Sequence, residues 1–262
     1  MLRPIVTLTT DFGLQDHFAG VMKGVILGIE PRAGIVDITH EISQFDTMAA
    51  AFSIAETWRW FPPKTIHVIV VDPGVGSSRR PILAEAAGHF FIAPDNGLLS
   101  PIYAREKTRV RHIQNENLFL HPVSRTFHGR DVFAPSAAHL AKGLAPARFG
   151  KLIQDFIRID FPAPRKVANR TWSGAVLHVD YFGNLITNFP AADFAEIQTR
   201  RFELAAGGHA VTRFALSYSG GDPDDFLVVA GSSGYLEVAV NQSSAARKLG
   251  CKAGAPIALT LY

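Results

Sequence analysis

Thr65-Ile66-His67-Val68-Ile69-Val70-Val71-Asp72-Pro73-Gly74-Val75-Gly76 is the stretch whose reading decides the fold class. Apart from His67, every residue from Thr65 to Val71 is β-branched, which reads as a strand buried in the middle of a sheet. The run then passes directly into a carboxylate and a turn with two glycines. Turns at the carboxyl ends of strands are where open α/β sheets place their ligands. Upstream, Ile5 to Thr10 reads as a strand, Asp11 to Asp16 as a loop, and His17 to Ile29 as a helix ended by Pro31. Its apolar positions are Phe18, Val21, Met22, Val25, Ile26 and Ile29. Ile35 to Thr39 is the next strand, and Asp46 is a candidate N-cap for a helix running to Trp60 and stopped by Pro62-Pro63.

Downstream of Pro81 the pattern shortens, with strands expected at Ile82 to Ala86 and His89 to Ala93, and a helix at Asp131 to Lys142 closed by Gly143. The alternation predicts an α/β N-terminal domain with a largely parallel sheet over residues 1–160. Phe156 to Val167 is proline-rich and aperiodic, the pattern of a linker. From Thr171 onward, short strands punctuated by Gly, Asn and Asp carry little helix until Ala245 to Leu249. A smaller C-terminal all-β domain over 161–262, a barrel or a sandwich, is expected there.

Composition narrows the function classes. With 262 residues and 47% apolar content the chain can bury large cores. Its formal charge of +3 is spread without a basic run, so no nucleic-acid partner is expected. Cys251 is the single cysteine, which excludes an internal disulfide and any Cys-x-x-Cys metal spacing. Met1-Leu2-Arg3-Pro4-Ile5-Val6 has no signal-peptide core and no stretch reaches 18 apolar residues. A soluble, cytoplasmic protein without a membrane partner is the expectation.

Polar residues gather in five places. In Thr9-Thr10-Asp11-Phe12-Gly13-Leu14-Gln15-Asp16-His17, Asp11 and Asp16 suit ribose hydroxyls or a cationic group, or else cap the following helix. Asp72 to Arg80 sets a carboxylate at a sheet mouth beside exposed N–H groups, or is a tight turn with surface arginines. It is no phosphate-binding P-loop, because the Gly-Lys-Ser/Thr ending is missing. Asp95-Asn96-Gly97 reads as a hairpin turn. In Thr126 to Asp131, His128 offers a neutral base just before a helix, a place where a lone histidine is more often structural. In Asp180-Tyr181-Phe182-Gly183-Asn184, Phe182 and Asn184 supply an aromatic face and a donor-acceptor amide of the kind an adenine ring needs, although a hairpin turn explains the segment too.

Taken in order, Thr9-Thr10-Asp11-Phe12-Gly13 with Asp16, Val71-Asp72-Pro73-Gly74-Val75-Gly76 with Arg79, Ala93 to Leu98, Phe127-His128-Gly129-Arg130-Asp131 with Phe133-Ala134-Pro135, Asp180 with Phe182-Gly183-Asn184 and Thr187-Asn188, and Gly231-Ser232-Ser233-Gly234 with Leu236-Glu237, Ala239 and Asn241 make up six motifs. Together they resemble the S-adenosylmethionine hydroxide adenosyltransferases, relatives of fluorinating and chlorinating enzymes. The resemblance runs from Ile5 to about Leu249. It implies hydrolysis of S-adenosylmethionine at ribose C5′ to adenosine and methionine, with no cofactor and no metal. It also implies a homotrimer whose sites lie between subunits. The residues implied to handle water are Asp72, Arg79 and His128. Asp11 is implied to hold the ribose hydroxyls, Asp16 and Asp180 the methionine ammonium, Ser232 its carboxylate, Phe45 the face of the sugar, and Phe182 and Asn184 the adenine. Ser233 stands where the related halogenases carry an arginine.

Within this reading His128 takes the proton of water, or Arg79 and Asp72 position the water and His128 only binds it. Arg80 is rejected on spacing and expected to be a surface arginine without a buried partner. Three competitors are a halide nucleophile in the same pocket, a module that binds S-adenosylmethionine without cleaving it, and a metal phosphoesterase using Asp11, His17, Asp72 and His128. The last lacks any His-x-His or His-x-x-x-His pair at a strand end.

Overall fold

The computed structural model describes residues 3–262; Met1 and Leu2, the start of the segment expected to run straight into a strand, lie outside the described residues. The chain forms two compact units, one extending through Asp160 and one spanning Phe161–Tyr262. Among the described residues no helix is long and apolar enough to cross a membrane.

In the first unit the elements are β1 (Ile5–Thr10), α1 (Phe18–Ile29), β2 (Gly34–Thr39), α2 (Thr47–Thr57), β3 (Ile66–Val70), β4 (Pro81–Ala86), β5 (His89–Pro94), α3 (Ser100–Arg105), β6 (Thr108–His112), α4 (Ala134–Ala141) and β7 (Leu152–Ile153). They make a seven-stranded sheet in the order β2-β1-β3-β5-β4-β6-β7. Every residue of β3 is buried, as expected of a central strand. Its period-two alternation sends Ile66, Val68 and Val70 into a core shared with Met22 and Ile26 of α1 and with Ala134, Ala137 and Ala138 of α4. The opposite face holds His67 and Ile69, both fully buried, near Trp58 and Phe91. Asp46 caps α2 by accepting the Ala49 N–H, as its position before the helix predicts.

The parallel part of the sheet is smaller than expected. Pairs β2/β1, β1/β3 and β3/β5 are parallel, whereas β5/β4, β4/β6 and β6/β7 are antiparallel, so the sheet is mixed. The cause is local. Ala87-Gly88 joins β4 to β5 with both residues at positive φ, too short a link for a crossover helix. Asp95-Asn96-Gly97 is not a hairpin turn: it leads from β5 into α3, an element that periodicity over six residues does not reveal.

His67 is buried among apolar rings, with Nδ1 2.8 Å from Thr7 Oγ1 and Nε2 3.2 Å from His89 Nδ1. Burial, and then the neighbouring His89, hold its pKa down to about 3. The folded ring therefore stays neutral where the unfolded ring, with a pKa near ~6.5, takes a proton. Stability from this site is complete above pH ~6.5 and is lost as pH falls from there toward 3, by about 2 kcal/mol at pH 5. Urea unfolding at pH 7 and pH 5 is expected to show this gap, and His67→Gln to narrow it; an equal gap in the variant assigns the acid sensitivity elsewhere.

The second unit contains β8 (Arg165–Ala168), β9 (Thr171–Val179), β10 (Leu185–Pro190), β11 (Phe202–Ala206), β12 (His209–Val211), β13 (Phe226–Ala230), β14 (Tyr235–Val240), α5 (Ala245–Leu249) and β15 (Pro256–Leu261). Its sheet runs β12-β11-β15-β9-β10-β14-β13, with β8 paired to β9. The end strands β12 and β13 touch, which nearly closes the sheet. Phe202, Leu204 and Ala206 point inward while Glu203 and Ala205 do not, the alternation of a strand with one buried face. Ser244 caps α5 by accepting the Arg247 N–H, and left-handed Gly250 ends it.

Candidate active site

The chain reverses direction across the first sheet between β1 and β3: α1 carries it from β1 outward to β2, and α2 carries it back past β1 to β3. Such a switch point opens a crevice at the carboxyl ends of the two neighbouring parallel strands. Thr10 pairs with Val70 in register, so Asp11 and Asp72, just beyond the two strand ends, face the same crevice. A cleft of about 260 Å³ forms there, lined by Asp11, Asp16, Phe45, Asp72, Phe127 and His128 among others.

Asp72 is held by Arg79. The Arg79 Nε–H lies 2.9 and 2.8 Å from the two carboxylate oxygens, and Nη2 donates to Oδ2 as well. The side chains are only 5% and 8% exposed. The intervening turn bends back because Ser77 Oγ donates to the Gly74 carbonyl and accepts the Arg79 N–H. Gly76 sits at φ +77°, where a Cβ would lie 2.3 Å from the Arg125 carbonyl oxygen, so the turn tolerates only glycine there. Arg79 also lies over the Phe133 ring, 5.1 Å from its centre.

Arg79 Nη2 reaches His128 Nδ1 at 2.7 Å. A guanidinium has donors only, so Nδ1 accepts and the proton of the neutral ring sits on Nε2. Burial first, and then Arg79, lower the His128 pKa, while the Ser124 carbonyl favours a ring proton. His128 precedes a widened helical turn, Gly129–Phe133, that flows into α4. Pro135 explains the widening. Lacking an N–H, it cannot bond the Asp131 carbonyl, which instead accepts the Leu120 N–H at 2.9 Å. Turns of this kind recur at functional sites.

Asp11 Oδ2 accepts the Phe45 N–H at 2.9 Å and thereby holds Phe45 at φ +66°. Burial, with a smaller contribution from Asp72, raises the Asp11 pKa. Asp16 is exposed at the cleft rim. The residue that caps α1 is His17, which makes no side-chain capping bond, so the capping alternative for Asp16 is not realised.

Within the second unit, Phe182 is 75% exposed and Asn184 is buried. They line a pocket of about 520 Å³ with Tyr218, Gln242, Ser244 and Arg247. Asp180 supports it by accepting from both the backbone N–H and the Nδ2 of Asn184, each at 2.8 Å, which fixes the orientation of the Asn184 amide. Gly183, at φ +86°, lies against Ser244, where a Cβ would meet Oγ at 2.0 Å. Ser232 is exposed in the β13–β14 turn, outside that pocket's lining.

Two features escaped the sequence reading. Glu237 is buried, accepts the Tyr218 hydroxyl at 2.7 Å, and is pushed up by burial. Its signal was a carboxylate inside the apolar run Leu236 to Val240. Arg80 is not the partnerless surface arginine expected: it binds Asp95, 2% exposed, at 2.7 Å and Asp155 at 2.9 Å. The reason is the antiparallel β4/β5 pair, which sets Arg80 beside Asp95, whose N–H donates to the Arg80 carbonyl.

If Asp11 carries two ligand hydroxyls, Asp11→Ala costs ~1.5 to 3 kcal/mol of binding, a rise in KM of about 10- to 150-fold. Asp11→Asn retains an acceptor for the Phe45 N–H and isolates the loss of charge. An unchanged KM in both variants assigns Asp11 to holding the Phe45 loop alone.

The SAM hydroxide adenosyltransferase N-terminal domain matches residues 6–150 and the C-terminal domain of that family residues 174–258. A protein from Thermus thermophilus named (R)-S-adenosyl-L-methionine hydrolase is 35% identical over 98% of this chain and 100% of its own length. A protein from Actinoplanes sp. named fluorinase is 27% identical over 98% of this chain and 97% of its own. The crystal structure of an uncharacterized conserved protein from Thermotoga maritima aligns over 98% of this chain and 99% of its own, with a TM-score of 0.91 and 37% identity. With both domains matched in order along one chain, and relatives of full length above 30% identity, this protein belongs to the SAM hydroxide adenosyltransferase family.

Proposed function

We propose that the chain hydrolyses S-adenosyl-L-methionine at the ribose C5′ carbon, releasing adenosine and L-methionine. The observation that carries this reading is the Asp72–Arg79–His128 chain of hydrogen bonds beside Asp11 at the cleft. Three carboxylates, Asp11, Asp16 and Asp72, line that cleft and suit a cationic sulfonium substrate. They also favour neutral water over halide as nucleophile, since an anion entering beside them is repelled. Incubation with S-adenosylmethionine in chloride buffer and chromatography is expected to give adenosine and methionine. A 5′-chloro nucleoside as the main product assigns a halide enzyme, and no turnover despite binding assigns a binding module.

Loss of the sulfonium as a neutral thioether needs no acid, so the chemistry falls on the water. It must sit in line behind C5′ at roughly 3 to 3.5 Å. Asp72 supplies the acceptor that orients it, and Arg79 fixes and balances that carboxylate. His128, with Nδ1 occupied by Arg79, is no proton acceptor in this state; it holds the guanidinium in place. Asp11 takes the ribose hydroxyls, Phe45 the sugar face, and Asp16 the methionine ammonium. Phe182 and Asn184 take the adenine, with Asp180 acting through Asn184 or on the ammonium, and Ser232 takes the carboxylate. The second sheet is read as a barrel, and the assembly as a cytoplasmic homotrimer with sites shared between subunits, on the family resemblance.

No cofactor or metal enters this scheme. Among the described residues no three His, Cys, Asp or Glu side chains converge as a metal site. Turnover is expected to persist in excess chelator; its loss, with recovery on one divalent ion, overturns the assignment of water activation to side chains.

A further inference from the structure

A second cavity, of about 620 Å³, is lined in part by Arg79 and His128. His128 is the one residue, among the described residues, in the linings of both this cavity and the substrate cleft. At its inner end the cavity meets Arg79 and the buried Ile113 and Val132; toward solvent it is lined by the exposed Gln114, Glu116 and Val123. Arg79 carries a second signal. Its Nη1 is buried with no protein acceptor, although Nε and Nη2 are fully engaged. A buried guanidinium N–H without a partner loses a hydrogen bond unless a polar ligand supplies one.

We propose that this second cavity is the inlet through which water reaches the reacting carbon and the outlet through which the released proton leaves. The inference rests on the hydrolase reading. Each turnover consumes one water: its oxygen forms the bond to C5′, the C5′–S bond breaks with its electron pair passing to sulfur, and one proton goes to solvent. On that reading the ribose and sulfonium take the cleft of about 260 Å³, and the nucleophile must approach from the side opposite sulfur. With Nδ1 of His128 accepting from Arg79, the proton has no resting place on that ring. Water held at Arg79 Nη1 gives it a path past Gln114 and Glu116 to bulk. A cavity of this size, whose lining mixes apolar side chains with Arg79, His112, Gln114, Glu116 and His121, has room for several waters and polar partners for them.

The test is a size series at the mouth, away from the substrate cleft. Val123→Ala is expected to keep kcat within twofold of wild type, while Val123→Trp and Gln114→Trp lower it at least tenfold with KM and Tm unchanged. Gln114 and Val123 come from different segments, so one variant remains informative if the other folds poorly. Tryptophan variants with wild-type kcat overturn the inlet. So does an alanine variant as slow as the tryptophan one, which marks a structural effect, or a KM that rises with the loss of kcat, which marks an effect on the cleft. A wild-type chain that releases no adenosine removes the hydrolase reading itself; adenosine release with insensitive variants removes the inlet alone.

Discussion

Arg79→Ala is expected to lower kcat for S-adenosylmethionine hydrolysis about 10²- to 10³-fold, with KM changing little. That is the scale of losing one preorganised donor at a reacting centre, ~2.7 to 4 kcal/mol. Arg79 makes three bonds to Asp72 and one to His128, so removing it frees both the carboxylate proposed to orient water and the histidine ring. His128→Ala removes one bond of that set and is expected to be milder, about 10- to 100-fold. The double variant should be no slower than Arg79→Ala alone, because the two groups act as one unit. Multiplying losses in the double variant would show independent roles. Arg79→Lys keeps the charge but not the fork, and is expected to fold while remaining at least tenfold slow. The acid limb of kcat should fall below the ordinary histidine pKa of ~6.5, since burial and Arg79 lower that of His128. An acid limb at or above it rejects a neutral His128 beside a charged Arg79.

Arg80→Ala, one residue away, is expected to leave chemistry intact and damage the fold. Asp95 is nearly inaccessible and would keep only the Ile157 N–H, at 2.8 Å. Leaving a buried carboxylate without its cation costs ~3 to 5 kcal/mol. For a unit of this size that lowers Tm by roughly 6 to 20 °C. Asp95→Asn with Arg80→Ala should lose less than the sum of the singles, because the second change removes the charge that the first leaves buried. Thermal unfolding by circular dichroism measures both effects, and kcat at low temperature separates them from catalysis. A Tm within two degrees of wild type would mean that water replaces Arg80 at Asp95.

Much of this was open to a reader of the chain. The β-branched run Thr65 to Val71, the α1 pattern, the Asp46 cap and the Ala245 to Leu249 helix rest on local physics, namely branched side chains, helical spacing and side-chain oxygens before a first turn. Asp11 and Asp72, which line the cleft, were legible for the same reason, as charges set against apolar strand ends. What failed was also local in origin. The six residues of α3 are too few for a period to appear, and the five residues of β6 mix charged and apolar side chains. Arg80 looked free because its partner Asp95 lies across a strand pair rather than along the chain.

The sequence by itself determined the longer elements, such as α1, α2 and β3, and which polar residues stand at their ends, because propensity, capping and period act within a few residues. Only tertiary structure decided that Asp11 and Asp72 share one crevice, that Arg79 bridges Asp72 to His128 and so sets the histidine tautomer, and that Arg80 has a buried partner. Those outcomes depend on strand order and register, which bring together groups seven to 61 residues apart. Their energies are large only because burial removes the water that would otherwise screen each charge.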